Sequence, residues 1–180
     1  MKDENLQASG IRLNVEIKAR SDRHNDIRDI LNRRNARRIG LDHQIDTYFK
    51  VSEGRLKLRE GNIENSLIYY NRSNQAGPKR SDVLLYKLSP DPALKSVLSA
   101  SNGVLVVVDK QREIWFDANV KLHLDAVQGL GTFVEIEAID TDGTISEDQL
   151  HKQCDTWIQL LSIQPEDLID RSYSDLLLEA

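Results

Sequence analysis

Charged side chains recur at every second position in several stretches of this chain: Glu16, Lys18 and Arg20; Arg55, Lys57 and Arg59; Lys110 and Arg112; Glu135 and Glu137. Strand side chains alternate between faces, so each set points one way while Val15, Ile17, Leu56, Leu58, Val134 and Ile136 point the other. Arg55, Lys57 and Arg59 place three cations on one face of a short strand. Like charges spaced ~7 Å apart repel unless an anion neutralises them. Arg72, Lys87, Lys110 and Arg112 extend the set with matching polar parity, Lys87 serving equally well as a rim residue. Planar Arg forks mixed with compact Lys charges suit a polyphosphate better than a lone carboxylate. The competing explanation is a solvated basic strand that discourages edge pairing. Glu135 and Glu137 stand about 7 Å apart along one face, close enough to grip a divalent ion, and Glu16 and Asp125 lie on faces of the same type. An oxygen-only ligand set without paired Cys or spaced His favours Mg²⁺ or Mn²⁺ over Zn²⁺. Taken alone, the Glu-x-Glu pattern describes an ordinary solvent-facing strand edge better than a metal site.

Other constellations carry less. The run Arg33-Arg34-Asn35-Ala36-Arg37-Arg38 reads as a solvated helix end, because the chain is acidic overall and the run lacks interleaved aromatics. No nucleic-acid partner is therefore expected. His123, between Lys121 and Asp125, reads as a hydrogen-bonded bystander, and His24, His43 and His151 have no metal-ligand spacing. Gly129-Leu130-Gly131 is a hairpin rather than a phosphate-binding loop, since no helix follows it in the required manner.

Those residues need strands to hold them, and the alternation supplies eight: 12–20, 42–51, 54–60, 65–72, 82–88, 104–116, 120–126 and 132–139. Short turn-like links mark antiparallel connections, and a meander of this kind closes naturally into a barrel. Three helices interrupt it. One starts near Ser21-Asp22 as N-cap and carries Ile27, Ile30 and Leu31 on one face. A second begins at Pro92, and a third opens at Ser146 with Gln149 completing a capping box and buries Leu150, Cys154, Trp157 and Leu161. A turn at Pro165 leads to a C-terminal segment, Tyr173 to Leu178.

The totals agree with one α+β domain. The chain has 180 residues, 39% of them hydrophobic, enough to bury a core without disulfides or metals. Its single cysteine, Cys154, fits a small core residue. Residues 1–10 are expected to form a loose tail ahead of a domain spanning 11–180, and no apolar run approaches a membrane span or signal-peptide core, so the expected location is cytoplasmic. The net charge of −5 hides an asymmetry: residues 1–90 carry 18 Lys and Arg against 12 Asp and Glu, whereas residues 91–180 carry 6 against 17. Early strands supply the cations of a shared site and late strands its acids, although a helical acidic surface explains part of the excess.

The order of these motifs resembles a known family. Asn14-Val15-Glu16-Ile17-Lys18 looks like the ExExK opening strand of the CYTH superfamily, the triphosphate tunnel enzymes that include class IV adenylate cyclases, thiamine triphosphatases and inorganic triphosphatases. Asp46-Thr47-Tyr48-Phe49 followed by Gly54-Arg55-Leu56-Lys57-Leu58-Arg59-Glu60 is similar to its second landmark. Lys110 and Arg112 before Ile114-Trp115, then His123-Leu124-Asp125, Gly129-Leu130-Gly131 and Phe133-Val134-Glu135-Ile136-Glu137, resemble its late basic and acidic strands. The resemblance implies an eight-stranded antiparallel β-barrel whose polar face lines a tunnel, with helices packed outside. It implies metal binding by Glu16, Glu135 and Glu137, with Asp125 a further ligand, and triphosphate binding by Lys18, Lys57, Arg59, Arg72, Lys110 and Arg112, joined at lower weight by Arg55 and Lys87. Lys18 is thereby counted with the catalytic glutamates.

Asn14 departs from the pattern, which has Glu there, so a second metal ion is held weakly or not at all. This Asn form, with Tyr69-Tyr70-Asn71-Arg72 and Lys79-x-Ser81-Asp82, most resembles the class IV adenylate cyclase-like branch. The implied activity is conversion of ATP to cyclic AMP and pyrophosphate. The alternatives are an inorganic or thiamine triphosphatase releasing orthophosphate, and a polyphosphate- or nucleotide-binding module without turnover. The expected partners are a triphosphate small molecule (ATP, tripolyphosphate or thiamine triphosphate) and a second copy in a homodimer, with no nucleic acid and no membrane.

Overall fold

The computed structural model describes residues 11–180. The tail expected over residues 1–10 lies outside the described residues. Eight strands are present: β1 (Ile11–Arg20), β2 (Arg37–Phe49), β3 (Arg55–Gly61), β4 (Ser66–Asn71), β5 (Lys79–Lys87), β6 (Val104–Asp117), β7 (Val120–Val127) and β8 (Gly131–Asp140). They form a closed barrel in the order β1-β5-β4-β3-β2-β6-β7-β8, every pair antiparallel. Four helices accompany it: α1 (His24–Arg33), α2 (Pro92–Asn102), α3 (Glu147–Leu160) and α4 (Tyr173–Glu179), with a 3₁₀ turn at Pro165–Asp167. None of these helices is long and apolar enough to cross a membrane.

The larger apolar core lies outside the barrel wall. Val15, Ile17 and Ala19 of β1, with Leu122, Val134 and Ile136 of β7 and β8, pack under Ile27 and Leu31 of α1 and Leu150, Cys154 and Trp157 of α3. Each of those strands thus turns its apolar parity to the helices and its polar parity to the lumen. Cys154 is fully buried, donates to the Val15 carbonyl at 3.2 Å and has its thiol pushed up to about 12 by burial, which makes it a packing residue.

Helix starts follow their caps. Ser146 accepts from the Gln149 N–H and Gln149 reaches back, completing the expected capping box, with Glu147 and Asp148 in the first turn. Asp91 caps α2 ahead of Pro92. The first helix departs from expectation: its N-cap is Arg23, two residues after Ser21, and no side chain caps it. The arginine run also departs. Only Arg33 and Arg34 end α1, while Arg37 and Arg38 already belong to β2, paired with Phe116 and Trp115 of β6. Arg38 binds Glu113 at 3.0 Å and Arg37 lies 5.5 Å from the Phe116 ring, so these two cations have protein partners on the barrel wall.

Candidate functional site

A cavity of about 620 Å³ occupies the lumen. Glu16, Lys18, Lys57, Arg59, Arg72, Lys87, Lys110, Arg112, Glu135 and Glu137 all line it, so the structure brings together ten of the twelve residues singled out from sequence. Arg55 and Asp125 fall outside the lining. Arg55 instead donates to Asp175 of α4 at 2.7 Å and to Asn74, tying that helix to the barrel. Asp125 has no exposed surface: Arg112 donates to both its oxygens at 2.7 and 2.5 Å, and the Tyr173 hydroxyl adds a third bond at 2.7 Å. Burial pushes the Asp125 carboxyl up, but the Arg112 charge and these hydrogen bonds outweigh it and hold the group at about 2. It is a permanent anion that aims Arg112 into the lumen.

The cations are gathered by a residue that parity alone did not single out. Asp46 of β2, 1% exposed, accepts from Arg59 at 2.8 and 2.9 Å, from Lys57 at 2.9 Å and from Lys110 at 2.7 Å. Burial raises the Asp46 carboxyl, but Arg59, Lys110 and Lys57 together hold it well below the usual range. Lys110 is driven the other way, well below an ordinary amine, by burial first, with Asp46 opposing and Arg59, Arg112 and Lys57 adding repulsion. One carboxylate among three cations leaves a surplus of positive charge directed at the cavity, which suits an anion with several charges.

Acids gather on the facing wall. Register places Glu16 beside Glu137 and Lys18 beside Glu135 across β1 and β8, and His123 beside Glu135 across β7 and β8. Glu135 is in contact with Lys18 and accepts from Arg112 at 2.7 Å. His123 Nδ1 stands 3.2 Å from a Glu135 oxygen and 3.8 Å from a Glu137 oxygen. One ligand atom from each of His123, Glu135 and Glu137 lies within 4.8 Å of the others. Burial, then repulsion from Arg112 and Lys121, holds the imidazole well below its ordinary value, and Nδ1 faces the carboxylates as a donor in one tautomer and with its lone pair in the other. Glu16 pairs with Arg72 at 3.2 Å. Two buried oxygens nearby, Asn14 Oδ1 and Ser81 Oγ, lack any hydrogen-bond partner although their residues line the cavity. A carboxylate-rich set with one neutral imidazole and orphaned oxygens fits a hard divalent cation.

The two ends of the lumen differ. Tyr173 and Ser172, both under 5% exposed, close one end, and Lys18 Nζ sits 3.8 Å over the Tyr173 ring. Lys79 Nζ supports this cover by donating to the carbonyls of Ile169 and Asp170, just ahead of α4. Lining residues at the other end, Ile63, Lys87 and Thr141, are exposed, so this end is the mouth.

The family model for the CYTH domain matches residues 12–173. The chain belongs to the CYTH family. Solved structures agree on the fold. PH1012 from Pyrococcus horikoshii OT3 superposes with a TM-score of 0.76 at 24% identity, covering 91% of this chain and 98% of that one. A candidate adenylate cyclase from Vibrio parahaemolyticus gives 0.75 at 19% identity, covering 93% and 98%. HpAC1 from Hippeastrum, a candidate adenylyl cyclase with a dominant triphosphatase activity, gives 0.62 at 14% identity, covering 93% and 94%. No curated protein matches the sequence. CYTH proteins bind triphosphates and are typically metal-using enzymes, and the cation cluster and acid wall described above are the parts of this chain suited to those tasks.

Asp46, His123, Tyr173 and Lys79 are among the residues sequence reasoning left without a role in the site. Asp46 carried a usable signal, two positions before Tyr48 on the face that register sets against Lys57 and Arg59. Lys79 stood in the Lys79-x-Ser81-Asp82 motif without a role, and Tyr173 carried no signal, because both act through the C-terminal segment folding back onto the barrel.

Proposed function

We propose that this protein is a divalent-metal-dependent enzyme that cleaves a triphosphate held in the barrel lumen. One observation carries the reading: Lys57, Arg59, Lys110, Arg72 and Arg112 face the same cavity as Glu135 and Glu137, with buried His123 in contact behind those carboxylates. The cations neutralise and orient the phosphate chain, with Arg59 and Arg112 held in place by Asp46 and Asp125. Glu137, Glu135 and His123 would hold the metal, with Glu16 and Asn14 beside them on β1. A bound Mg²⁺ or Mn²⁺ supplies Lewis-acid polarisation of a phosphoryl group and stabilises charge on the leaving oxygen.

The leading activity is cyclisation of ATP, in which the ribose 3′-hydroxyl attacks the α-phosphorus and pyrophosphate leaves. The mouth supports it: Phe116, Leu85, Leu88 and Ile139 provide apolar surface for a base and sugar next to the phosphate-binding cations. A second reading, hydrolysis to orthophosphate, is favoured by a different observation. The amide side chains at the mouth that suit adenine recognition are already engaged: Asn65 exchanges hydrogen bonds with Gly61, and Asn119 bonds Ile139 and Gln153. Product analysis separates the two. Purified protein with Mg²⁺ or Mn²⁺ receives ATP and tripolyphosphate separately. Cyclic AMP with pyrophosphate establishes the cyclase, orthophosphate from tripolyphosphate with ATP left intact establishes the triphosphatase, and no product from either substrate overturns both of these in favour of another triphosphate, such as thiamine triphosphate, or of a binding role.

A further inference from the structure

The loop between β3 and β4 is built to hold a carboxylate inside the lumen. Asp42, fully buried, accepts from the backbone N–H of Ile63 at 2.8 Å and of Glu64 at 3.0 Å, and from Gln44 Nε2 at 2.7 Å. Asn65 donates to the Gly61 carbonyl at 2.9 Å and accepts from the Gly61 N–H at 3.0 Å. At Gly61 a Cβ would stand 2.7 Å from Asp42 Oδ1 and from the Glu64 carbonyl, so the turn closes only without a side chain there. This clamp fixes the origin of Glu64, whose carboxylate contacts Lys121 on β7, a strand not adjacent to β3 or β4 in the barrel. Its other oxygen accepts from Arg59 at 3.2 Å and Gln44 at 3.3 Å. Burial raises the Glu64 carboxyl, but Lys121 and Arg59 outweigh it and hold it at about 2, so the anion persists at every working pH.

Glu64 stands where the lining changes character. Toward the closed end lie Lys57, Lys110, Arg72 and Arg112; toward the mouth lie Ile63, Leu85, Leu88 and Phe116. Cations at the mouth are Arg12 on β1, Lys87 on β5 and Lys121 on β7; Lys121 is taken up by Glu64 itself, and Lys87 is solvated, where attraction is screened. A phosphate chain filling the deep cations meets a fixed negative charge at its outer end. An uncharged organic group meets apolar wall there instead.

We propose that Glu64 is a specificity-determining residue that ends the phosphate track: it admits three phosphates, alone or capped by an uncharged organic group, and rejects longer polyphosphates. This rests on the triphosphate-tunnel reading and names the substrate class within it.

The test is calorimetric titration of linear tripolyphosphate and linear tetrapolyphosphate, with Mn²⁺ present, into the wild-type protein and Glu64→Gln. The wild type should bind tripolyphosphate at least about ten-fold tighter than tetrapolyphosphate, since like-charge juxtaposition penalises the longer chain. Glu64→Gln should bring the ratio close to unity by tightening tetrapolyphosphate binding. Equal binding of the two chains by the wild type overturns the proposal, as does an unchanged ratio in the variant, and both results leave the tunnel reading intact. If neither chain binds either protein, the tunnel reading fails and the proposal fails with it. Glu64→Ala serves as the second variant should Glu64→Gln not reach the wild-type circular dichroism spectrum.

Discussion

Replacing Asp46 by Asn removes the counter-charge shared by three buried cations while keeping nearly the same shape. Asp46 accepts four hydrogen bonds of 2.7 to 2.9 Å from Arg59, Lys57 and Lys110. Deleting one partner of a buried ion pair costs about 3–5 kcal/mol, because the remaining charges lose compensation. For a domain of this size each kcal/mol shifts the melting temperature by about 2–4 °C, so Asp46→Asn should melt roughly 6–20 °C below wild type. Lys110 moderates the loss, since burial already lowers its amine and it sheds its proton most readily. The site should then respond unusually to ligand. Tripolyphosphate at a hundred times its dissociation constant stabilises any binding protein by about 2.7 kcal/mol. In the variant the same anion meets Arg59 and Lys57, and Lys110 as it regains its proton, with no internal competitor. An affinity about ten-fold tighter adds about 1.4 kcal/mol, so at equal ligand concentration the variant should gain roughly 3–6 °C more than wild type. Thermal unfolding with and without tripolyphosphate measures both quantities. A variant melting within about 2 °C of wild type, or one gaining less from ligand than wild type does, would refute Asp46 as the counter-charge of the cation cluster.

Three other outcomes test the rest of the site. Glu137→Gln should weaken Mn²⁺ binding by at least about ten-fold in titration calorimetry and lower turnover, while tripolyphosphate still binds; unchanged Mn²⁺ affinity removes Glu137 from the ligand set. The Asp125 carboxyl lies below its ordinary unfolded value, so it contributes stability that is present above pH ~4 and lost as pH falls toward 2, in total about 2–3 kcal/mol. Denaturant midpoints should fall across that window in the wild type and be flatter in Asp125→Asn, which starts from a lower value at pH 7. Ser146→Ala breaks the α3 capping box and should cost about 1 kcal/mol, seen as a melting shift of about 2–4 °C with the tripolyphosphate affinity unchanged.

Period-two alternation made all eight strands legible, because each wall segment faces helices on one side and a charged lumen on the other. Boundaries failed where the alternation is interrupted, by the arginine run and Gly40 at the start of β2 and by the all-polar Lys79-Arg80-Ser81 at the start of β5. β2 begins at Arg37 rather than Asp42 and β5 at Lys79 rather than Asp82, since cross-strand partners such as Glu113 and Glu16 define those ends. Parity also assigned the inward face correctly for ten site residues without giving depth along the barrel. Asp125 shares the face of His123 yet lies deeper, where Arg112 and Tyr173 surround it, whereas Glu137 lies at the level of the cavity. Depth depends on the stagger of the strands, and the cover supplied by α4 depends on where the chain returns after α3. Neither quantity is periodic in sequence.

The barrel closes by joining its first and last strands: β1 pairs with β8 from Leu13–Asp140 to Arg20–Phe133 and with β5 on its other edge. Such long sequence separations make for slow folding, since loop entropy is lost before the contacts reward it. During synthesis the cationic strands β3 and β6 emerge before β8 brings Glu135 and Glu137, so an unfinished chain presents an open, positively charged sheet. A cellular polyanion meeting that sheet has a template for association that the finished protein no longer offers. Refolding yield should therefore be sensitive to phosphate chains added during closure and insensitive to the same chains added afterwards.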